Sequence, residues 1–275
     1  MSQLKAVYQR PAKSLDELGG QLDFYIGVVR AIPRAVVRYP REILRLLAEV
    51  TLGAGSLAVI GGTVGVIVGL TFFTGAQVGL SGYAALDQLG TAAFAGFVSA
   101  YFNTREIAPL VAGIALAATV GCGFTAQLGA MRISEEIDAL EVMAIPSMPF
   151  LVATRVVGGL IAIIPLYVVG LLSSYFASRL VVTQFYGQSA GTYDYYFNRF
   201  LPPGDVLWSF GKVLVFAVVV ILIHCYQGYN ASGGPAGVGV AVGRAVRTSI
   251  VAINVIDLLL SMAIWGTTTT VRLAG

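Results

Sequence analysis

Long uninterrupted apolar runs constrain this chain more than any other feature of its sequence. Residues 107–131 and 156–178 contain no charged side chain, and an uncharged apolar run of about 18 residues or more is typical of a transmembrane helix. Only 11% of the 275 residues are charged, whereas a soluble domain averages about 25%. We therefore expect an all-α polytopic membrane protein. Its net charge of +3 does not call for a nucleic-acid partner.

Five membrane-spanning helices are predicted, within a membrane domain at 50–275. Their positions are 52–74, one crossing within 89–131, 156–178, 213–227 extended outward through Trp208, and 248–271. Residues 75–88 and 228–243 are predicted to be turns. Residues 89–131 are too many for one crossing of about 30 Å at about 1.5 Å per residue. A bent or re-entrant first half followed by one span is expected there.

Residues 1–49 precede the first predicted span and carry eight of the 17 basic residues. From Arg30 to Arg45 the arginines recur every three or four residues and form one stripe of a helix, with apolar residues between them. A basic face opposite an apolar face favours an amphipathic helix in the headgroup layer. A soluble cytoplasmic helix is the alternative. Pro33 and Pro40 are expected to break or kink it.

The charge distribution predicts the orientation in the membrane. With a cytoplasmic N-terminus and five spans, twelve basic residues fall in inner segments and four, among them Lys212, fall in outer segments. This asymmetry agrees with the positive-inside rule. Residues 179–207, rich in tyrosine and phenylalanine, are then predicted to form an external (periplasmic) loop.

A short acidic segment at 132–145 lies between two apolar runs. Its apolar residues recur at helical spacing, and its acidic residues cover the remaining surface: Ile133, Ile137, Leu140 and Ala144 against Glu135, Glu136, Asp138 and Glu141. Such a helix is too charged to cross a bilayer. Two interpretations stay open, a docking helix through which a soluble partner acts and a plain surface helix that links two spans.

Three ionisable residues fall within or beside the apolar runs: Arg105, Glu106 and Asp257. Ionisable side chains at membrane depth are costly, are usually paired and often mark function. We expect Asp257 to pair with Arg105 or with the polar end near Asn103. A proton-relay role and a purely structural pairing stay open, and a plain interfacial turn is the alternative for Arg105 and Glu106.

Glycines in the first predicted span suggest close helix packing. Gly61, Gly65 and Gly69 are spaced four residues apart, and small residues at this spacing let a neighbouring helix approach closely. The spacing supports packing and does not identify the neighbour.

No catalytic motif accompanies these features. The sequence contains no GxxxxGK[ST] motif for ATP, and its only histidine, His224, is expected to be a hydrogen-bonded core residue. With no second metal ligand and no Ser/His/Asp set beside it, we expect a transport protein that is not an enzyme and that has no metal, cofactor or nucleotide site of its own.

Four segments, in this order, resemble the MlaE/YrbE permease family. They are TREIAPLVAG (Thr104–Gly113), GFTAQLGAMR (Gly123–Arg132), SEEIDALEVMAI (Ser134–Ile145) and QGYNA (Gln227–Ala231). Asp257 also falls where that family has an aspartate. The resemblance extends from about Leu52 to the C-terminus and is strongest to the Mce-associated YrbE permeases of actinobacteria, B-type.

The resemblance implies a permease subunit of an ABC transporter for lipids, namely fatty acids, sterols or phospholipids. It implies five membrane helices, an N-terminal interfacial helix and a cytoplasmic coupling helix at 132–145 that docks on a separate ATPase through Glu135, Glu136, Asp138 and Glu141. ATP and Mg would be bound by that ATPase. Further implied partners are a second permease and MCE-domain proteins, in a bacterial inner membrane. Arg105, Glu106 and Asp257 match the family's charged intramembrane positions.

Three positions depart from the family's pattern. Thr119 stands where the Mla-type pattern has an arginine, Gln127 where it has a glutamate, and Ala108 where it has a glycine. A missing charge could come from a non-identical partner, so these departures favour a heterodimer of two permeases. A proton-coupled secondary transporter and a non-transporting scaffold for MCE proteins are the alternative functions.

Overall fold

A computed structural model describes residues 2–52 and 62–266, with only the helical course, and not the side chains, described for residues 2–18. Within these ranges the chain folds into nine helices and no strand. The helices are α1 (Ser2–Arg38), α2 (Pro40–Leu52), α3 (Thr63–Gln88), α4 (Ala92–Ile133), α5 (Glu136–Val142), α6 (Met148–Phe185), α7 (Ala190–Arg199), α8 (Pro203–Tyr229) and α9 (Gly234–Trp265).

Five of these helices, α3, α4, α6, α8 and α9, are long and apolar enough to cross a membrane. The prediction of an all-α protein with five spans is confirmed. Because α5 connects α4 to α6 and α7 connects α6 to α8, the bundle has two distinct ends. We call them the α5 end and the α7 end.

The N-terminal helices pack at the α5 end. In α1, Phe24 and Val28 are buried, and the Phe24 ring lies 5.3 Å from that of Tyr226 near the end of α8. The chain stays helical through Pro33 and breaks only at Tyr39, so Pro33 does not break the helix, whereas the expected break at Pro40 is present. Pro40 is the first residue of α2, a position where a missing N–H costs nothing.

The predicted boundaries of the first and last spans are wrong. Residues 75–88 belong to α3 and form no turn, because their polar residues are spread over a continuous helix. The turn before α9 is only a few residues long, and α9 begins at Gly234 although the sequence there is rich in glycine. Residues 53–61 and 267–275, which include parts of both predicted spans, lie outside the described residues.

Residues 92–133 form one helix, and the expected re-entrant half is wrong. The backbone stays right-handed helical through two wide, π-helical stretches at Ser99–Ile107 and Ala117–Gly121. Pro109 follows the first of them, where a widened turn accommodates a residue without an N–H. At about 1.5 Å per residue such a helix is about 60 Å long, so it extends beyond a 30 Å hydrocarbon layer.

The predicted external loop at 179–207 is largely helical. The first of its residues continue α6 to Phe185, and α7 follows after a short turn. Tyr193 of α7 is buried against the start of α4, where a Cβ on Gly96 would lie 2.8 Å from the Phe197 nitrogen. The aromatic residues of this segment therefore pack α7 against the start of α4.

Two glycines of α3, Gly75 and Gly79, pack closely against α6. A Cβ on Gly75 would lie 2.7 Å from Cα of Ser174 in α6, and one on Gly79 would lie 3.1 Å from Cα of Ser178. A Cβ on Gly69 would meet no atom within 4 Å among the described residues. Gly61 lies outside the described residues, and Gly65 is half-buried. Packing at Gly61, Gly65 and Gly69 stays a prediction.

Candidate functional site

Five charged side chains from three spanning helices meet inside the bundle, in its half nearer to the α7 end. We call this group the ion cluster; it consists of Arg105 and Glu106 of α4, Asp205 and Lys212 of α8, and Asp257 of α9. Arg105 and Glu106 lie in the π-helical stretch Ser99–Ile107, and π-helical turns are frequent at functional sites.

Lys212 is at the centre of the ion cluster and is fully buried. Its Nζ donates hydrogen bonds to the carbonyl oxygen of Arg105 at 2.7 Å, to Oγ of Ser261 at 2.8 Å and to Oε2 of Glu106 at 3.3 Å. Oδ1 of Asp257 lies 2.7 Å from the same nitrogen. One ammonium group thus joins α4, α8 and α9.

Arg105 is held on the other side of the cluster. Its Nε donates to Oδ2 of Asp205 at 2.7 Å, and a second guanidinium nitrogen lies 2.6 Å from the same oxygen. The indole Nε1 of Trp265 donates to Oδ1 of Asp205 at 3.0 Å. The guanidinium also lies over the Tyr101 ring, 4.1 Å from its centroid. Arg105 therefore pairs with Asp205, and the expected pairing of Asp257 with Arg105 is wrong.

Among the described residues, the ion cluster holds two cations and three carboxylates. Arg105 and Asp205 neutralise each other, whereas Lys212 faces both Glu106 and Asp257. Charges removed from water are costly unless they are paired and hydrogen-bonded. Here Ser261 adds a hydrogen bond to Oε1 of Glu106 at 2.8 Å. The Lys212 ammonium group faces two carboxylates, Glu106 and Asp257, so the site is not a simple ion pair.

Two members of the ion cluster, Lys212 and Asp205, were missed by the sequence-based prediction. Lys212 was assigned to the outer loop because the apolar run begins only at Val213. The signal that could have revealed it is the Pro202–Pro203 pair followed by Asp205, which is typical of a helix start. A helix that starts at Pro203 places Lys212 about 13 Å inside it at 1.5 Å per residue.

The acidic segment forms a shorter helix than predicted. Arg132 and Ile133 end α4, Glu135 adopts a left-handed conformation with φ 61°, and α5 covers only Glu136–Val142. Ile137 is buried, as expected for the inner face of an amphipathic helix, whereas the acidic residues are exposed: Glu135, Glu136, Asp138 and Glu141. Ala144, with φ 59°, is also left-handed, so two sharp changes of chain direction bound α5 and leave it two turns long.

Hydrogen bonds fix α5 to the bundle at both ends. Arg132 donates to Oδ1 of Asp138 at 2.7 Å before the helix. After it, Ser147 donates to Oε1 of Glu141 at 2.6 Å and lies 2.8 Å from the hydroxyl of Tyr229 at the end of α8. α5 is therefore held directly to the end of α4 and, through Ser147 just before α6, to the end of α8.

Two apolar side chains beside the acidic residues face outward. Val142 is 89% exposed and Met143 is 62% exposed. Exposed apolar residues rimmed by charges are typical of a protein-protein contact. The amphipathic pattern alone does not single them out, because apolar residues of such a helix are expected to face the bundle.

Gln127, one of the three departures, connects α2 to the interior at the α5 end. Its Nε2 donates to Oε1 of Glu49 at 2.6 Å, and Arg155 donates to its Oε1 at 3.2 Å. Arg155 is buried, and its guanidinium also donates to the carbonyl oxygen of Leu151 at 2.8 Å. A glutamate at position 127 would repel Glu49, so the amide suits this neighbour. Thr119 donates to the carbonyl oxygen of Ala115 in its own helix.

An apolar groove runs between α3 and α4. Its volume is about 340 Å³, within the range of small-molecule sites. Eight residues line it: Val78, Ser81, Gly82, Ala85, Leu86, Val98, Phe102 and Ile107. Ile107 directly follows Glu106, so the groove and the ion cluster adjoin the same π-helical stretch of α4.

His224 is buried beside the second π-helical stretch, and its Nδ1 lies 2.8 Å from Oγ1 of Thr125. It is a hydrogen-bonded core residue, as expected. Among the described residues, no group of three or more His, Cys, Asp and Glu side chains could hold a metal ion.

Comparison with known proteins identifies the family. The sequence model described as "Permease MlaE" matches residues 54–263. The chain is 28% identical over 256 residues to a "Probable ABC transporter permease protein" of Rickettsia bellii, covering 93% of this chain and 95% of that protein. It is 27% identical over 195 residues to the "Intermembrane phospholipid transport system permease protein MlaE" of Haemophilus influenzae, covering 70% and 75% of the two chains.

A plant protein is also similar. Over 178 residues the chain is 32% identical to "Protein TRIGALACTOSYLDIACYLGLYCEROL 1, chloroplastic" of Arabidopsis thaliana, which covers 63% of this chain and 50% of that protein. The family match includes the ion cluster, α5 and the groove between α3 and α4. The chain belongs to the MlaE permease family.

Proposed function

We propose that this chain is the membrane-spanning subunit of an ABC transporter that moves lipids across a membrane and is driven by a separate ATPase. The observation that carries the proposal is α5, a short helix whose acidic side chains are exposed and which is hydrogen-bonded to the end of α4 and, through Ser147, to the end of α8. α4 leads directly from this helix to the ion cluster and the apolar groove. A movement imposed on α5 would therefore reach both.

α5 is proposed to be the coupling helix. Its acidic side chains present negative charge to a partner, and Val142 and Met143 supply apolar area beside it. Charge would guide the encounter and the apolar contact would add affinity. ATP and Mg are assigned to that ATPase. The α5 end would then be cytoplasmic, in agreement with the basic residues that accumulate there.

Lipids are the proposed substrate because the groove between α3 and α4 offers almost purely apolar walls. A name in the family points the same way, since the Haemophilus influenzae relative is named for phospholipid transport. Fatty acids, sterols and phospholipids all carry apolar parts that such walls accept.

The ion cluster is proposed to act as the joint between the moving helices. Lys212 binds oxygen atoms from α4 and α9, so a rearrangement of either helix must break or exchange hydrogen bonds there. Packed interiors tend to have discrete alternatives with no continuum between them. The carboxylate of Asp257 should be needed for this exchange, and we expect Asp257→Asn to impair transport.

The remaining partners are proposed from the family. A second permease, different from this one, would supply the charge that Thr119 and Gln127 lack relative to the Mla-type pattern. MCE-domain proteins would adjoin the α7 end. The assembly would lie in a bacterial inner membrane with the N-terminus in the cytoplasm.

One observation favours a second candidate, a proton-coupled secondary transporter. Lys212 faces two carboxylates, Glu106 and Asp257, and such a group can exchange a proton. This function predicts lipid movement that a protonophore abolishes and that continues without ATP. The proposed ATP-driven function predicts lipid movement that continues with a protonophore and stops without ATP.

Charge reversal on α5 tests the docking. The variant Glu135→Lys with Glu136→Lys is expected to lose co-purification of the ATPase in mild detergent, because both side chains are exposed and their reversal repels a basic partner. Asp87→Lys, an exposed acidic residue at the α7 end, is the control and should keep the ATPase. Unchanged recovery with the double variant, at unchanged thermal stability, would refute α5 as the coupling helix.

A further inference from the structure

A second cavity lies at the α7 end of the bundle, apart from the ion cluster and largely apart from the groove described above. Its volume is about 520 Å³, which is within the range of ligand pockets. Residues from the end of α3, the start of α4 and α7 line it: Leu86, Thr91, Phe94, Phe97, Tyr195, Tyr196, Arg199 and Phe200. We call it the aromatic cleft.

Aromatic rings form the walls of the aromatic cleft. The ring centroids of Phe94 and Tyr196 are 4.5 Å apart, and those of Phe97 and Phe200 are 5.0 Å apart. These contacts bridge α4 and α7. Aromatic side chains provide large apolar area with few rotatable bonds, so they form a rigid apolar surface.

The same rings connect the cleft to the ion cluster. Phe97 lies 5.5 Å from Tyr101, centroid to centroid, and Tyr101 lies beneath the guanidinium of Arg105. Successive aromatic side chains of α4 therefore extend from the cleft to a buried cation. These rings form a continuous apolar surface that an acyl chain can contact, whereas Arg105 at its inner end is paired with Asp205.

One cation borders the aromatic cleft. Arg199, the last residue of α7, is exposed, and in the ranges the structure describes no carboxylate lies within ion-pair distance of it. Arg179, near the end of α6, differs because it donates to both carboxylate oxygens of Asp194 at 2.8 Å, which lowers the pKa of Asp194. The guanidinium of Arg199 is thus open to an anion from outside the chain.

We propose that the aromatic cleft binds a long-chain fatty acid, with its carboxylate on Arg199 and its acyl chain against Phe94, Phe97 and Phe200. A guanidinium binds a carboxylate through two parallel hydrogen bonds. The cleft offers one cation and one apolar cavity, which matches one head group and one chain. The inference rests on the proposed lipid transport for its physiological meaning, and it names the substrate class and a site at the α7 end.

Photolabelling tests the proposal directly. The full-length chain is placed in nanodiscs of phosphatidylcholine, without nucleotide, and exposed to a fatty acid that carries a diazirine near the end of its chain. Mass spectrometry then maps the labelled residues. We expect labels on Phe94, Phe97, Tyr196 and Phe200, and we expect unlabelled fatty acid to compete for them.

Variants at the head-group position separate binding from general partition into the membrane. Arg199→Gln should reduce the labelling about tenfold, since it removes a charge-assisted pair of hydrogen bonds, while Arg199→Lys should retain much of it. Arg179→Gln removes a cation from the same end of the bundle and should leave the labelling unchanged. Arg199 is exposed, so its variants are expected to fold, and thermal unfolding checks this.

Two results would overturn the proposal. One is equal labelling by the alcohol with the same chain and diazirine, or by the acid in Arg199→Gln, because the head group would then be irrelevant. The other is efficient labelling by a diazirine phospholipid without labelling by the acid, which would assign the cleft to phospholipids. The labelling needs neither ATP nor partners. Failure of the cleft proposal can therefore be told apart from failure of the proposed ATP-driven transport.

Discussion

Lys212 of α8 determines how α4, α8 and α9 are joined, because oxygen atoms from α4 and α9 surround its ammonium group. Its carbon chain is buried, and its charge is opposed by Glu106 and Asp257. Removing one partner from a buried ion pair leaves the other uncompensated, which costs more than the pair itself contributes.

The variant Lys212→Met is therefore expected to lower the free energy of unfolding by about 3–5 kcal/mol. Unfolding by denaturant in mixed micelles measures this change. Addition of Glu106→Gln and Asp257→Asn to the same chain should recover a large part of the loss, since the uncompensated charges are then absent. Ser261→Ala, which removes one neutral hydrogen-bonding group from the cluster, is the control and should cost less; an equal loss there would contradict a dominant role for the Lys212 charge.

The sequence draws attention to residues whose charge interrupts an apolar run. Arg105, Glu106 and Asp257 stand out in this way, and the structure brings all three into the ion cluster. Asp205 and Lys212 precede the apolar run of their helix, so they resemble loop residues until the helix start is known. Which carboxylate pairs with which cation depends on helix rotation, which a single sequence does not specify.

At the scale of elements, α3 and α6 show how small residues set the distance between two helices. Gly75 and Gly79 lie against the backbone at Ser174 and Ser178, and Ser178 donates to the carbonyl oxygen of Gly75 at 2.5 Å. Close backbone approach of this kind is typical of helix association in membranes.

Gly75→Ala is expected to destabilise the chain by about 1–3 kcal/mol, since the new methyl group overlaps the α6 backbone and forces the helices apart. Gly69→Ala is the matched control on the same helix. Its methyl group enters open space within the described part of the chain, so a monomer should tolerate it. Thermal unfolding of both variants measures the difference in stability. Equal destabilisation by Gly75→Ala and Gly69→Ala would contradict the close packing of Gly75 against α6. A loss of association with a second permease in Gly69→Ala alone would identify Gly69 as an interface residue.

For α5 we expect an effect on partner binding and none on stability, because its exposed apolar residues Val142 and Met143 do not pack in the bundle. Val142→Ser with Met143→Ser should leave thermal stability unchanged and weaken ATPase binding at least tenfold, since buried apolar contacts dominate interface energies. Titration of the purified ATPase onto the variant in nanodiscs measures the affinity. Ile137→Ser is the contrasting variant and should destabilise the fold. Full affinity in the double variant would restrict the contact to the acidic residues.

The sequence predicted the number and kind of the long helices better than their ends. Hydropathy predicts five spans, the number found among the described residues, but it predicts a turn at residues 75–88 because they are polar and contain glycine. Tertiary packing of Gly75 and Gly79 against α6 overrides that local signal. For α4 the sequence predicts two parts in place of one long helix. No pattern in residues 92–133 reveals the π-helical turns that accommodate Arg105, Glu106 and Pro109 within a continuous helix.

At the scale of the whole molecule, three features lie along one direction. The α5 end carries the basic amphipathic helices and the exposed acidic helix, the interior carries the ion cluster, and the α7 end carries the aromatic cleft. α4 extends through all three regions. This arrangement suits a protein that receives work at one end and handles an amphiphile further along.

The central claim is that a separate ATPase drives lipid movement through this chain. We would purify the chain with its native partners in mild detergent, reconstitute the assembly in liposomes, and follow a fluorescent lipid with and without ATP and with a protonophore. The account predicts co-purification of an ATPase and lipid movement that requires ATP, survives the protonophore and is impaired by Asp257→Asn. Recovery of the chain alone, with lipid movement that needs no ATP and stops with the protonophore, would contradict it.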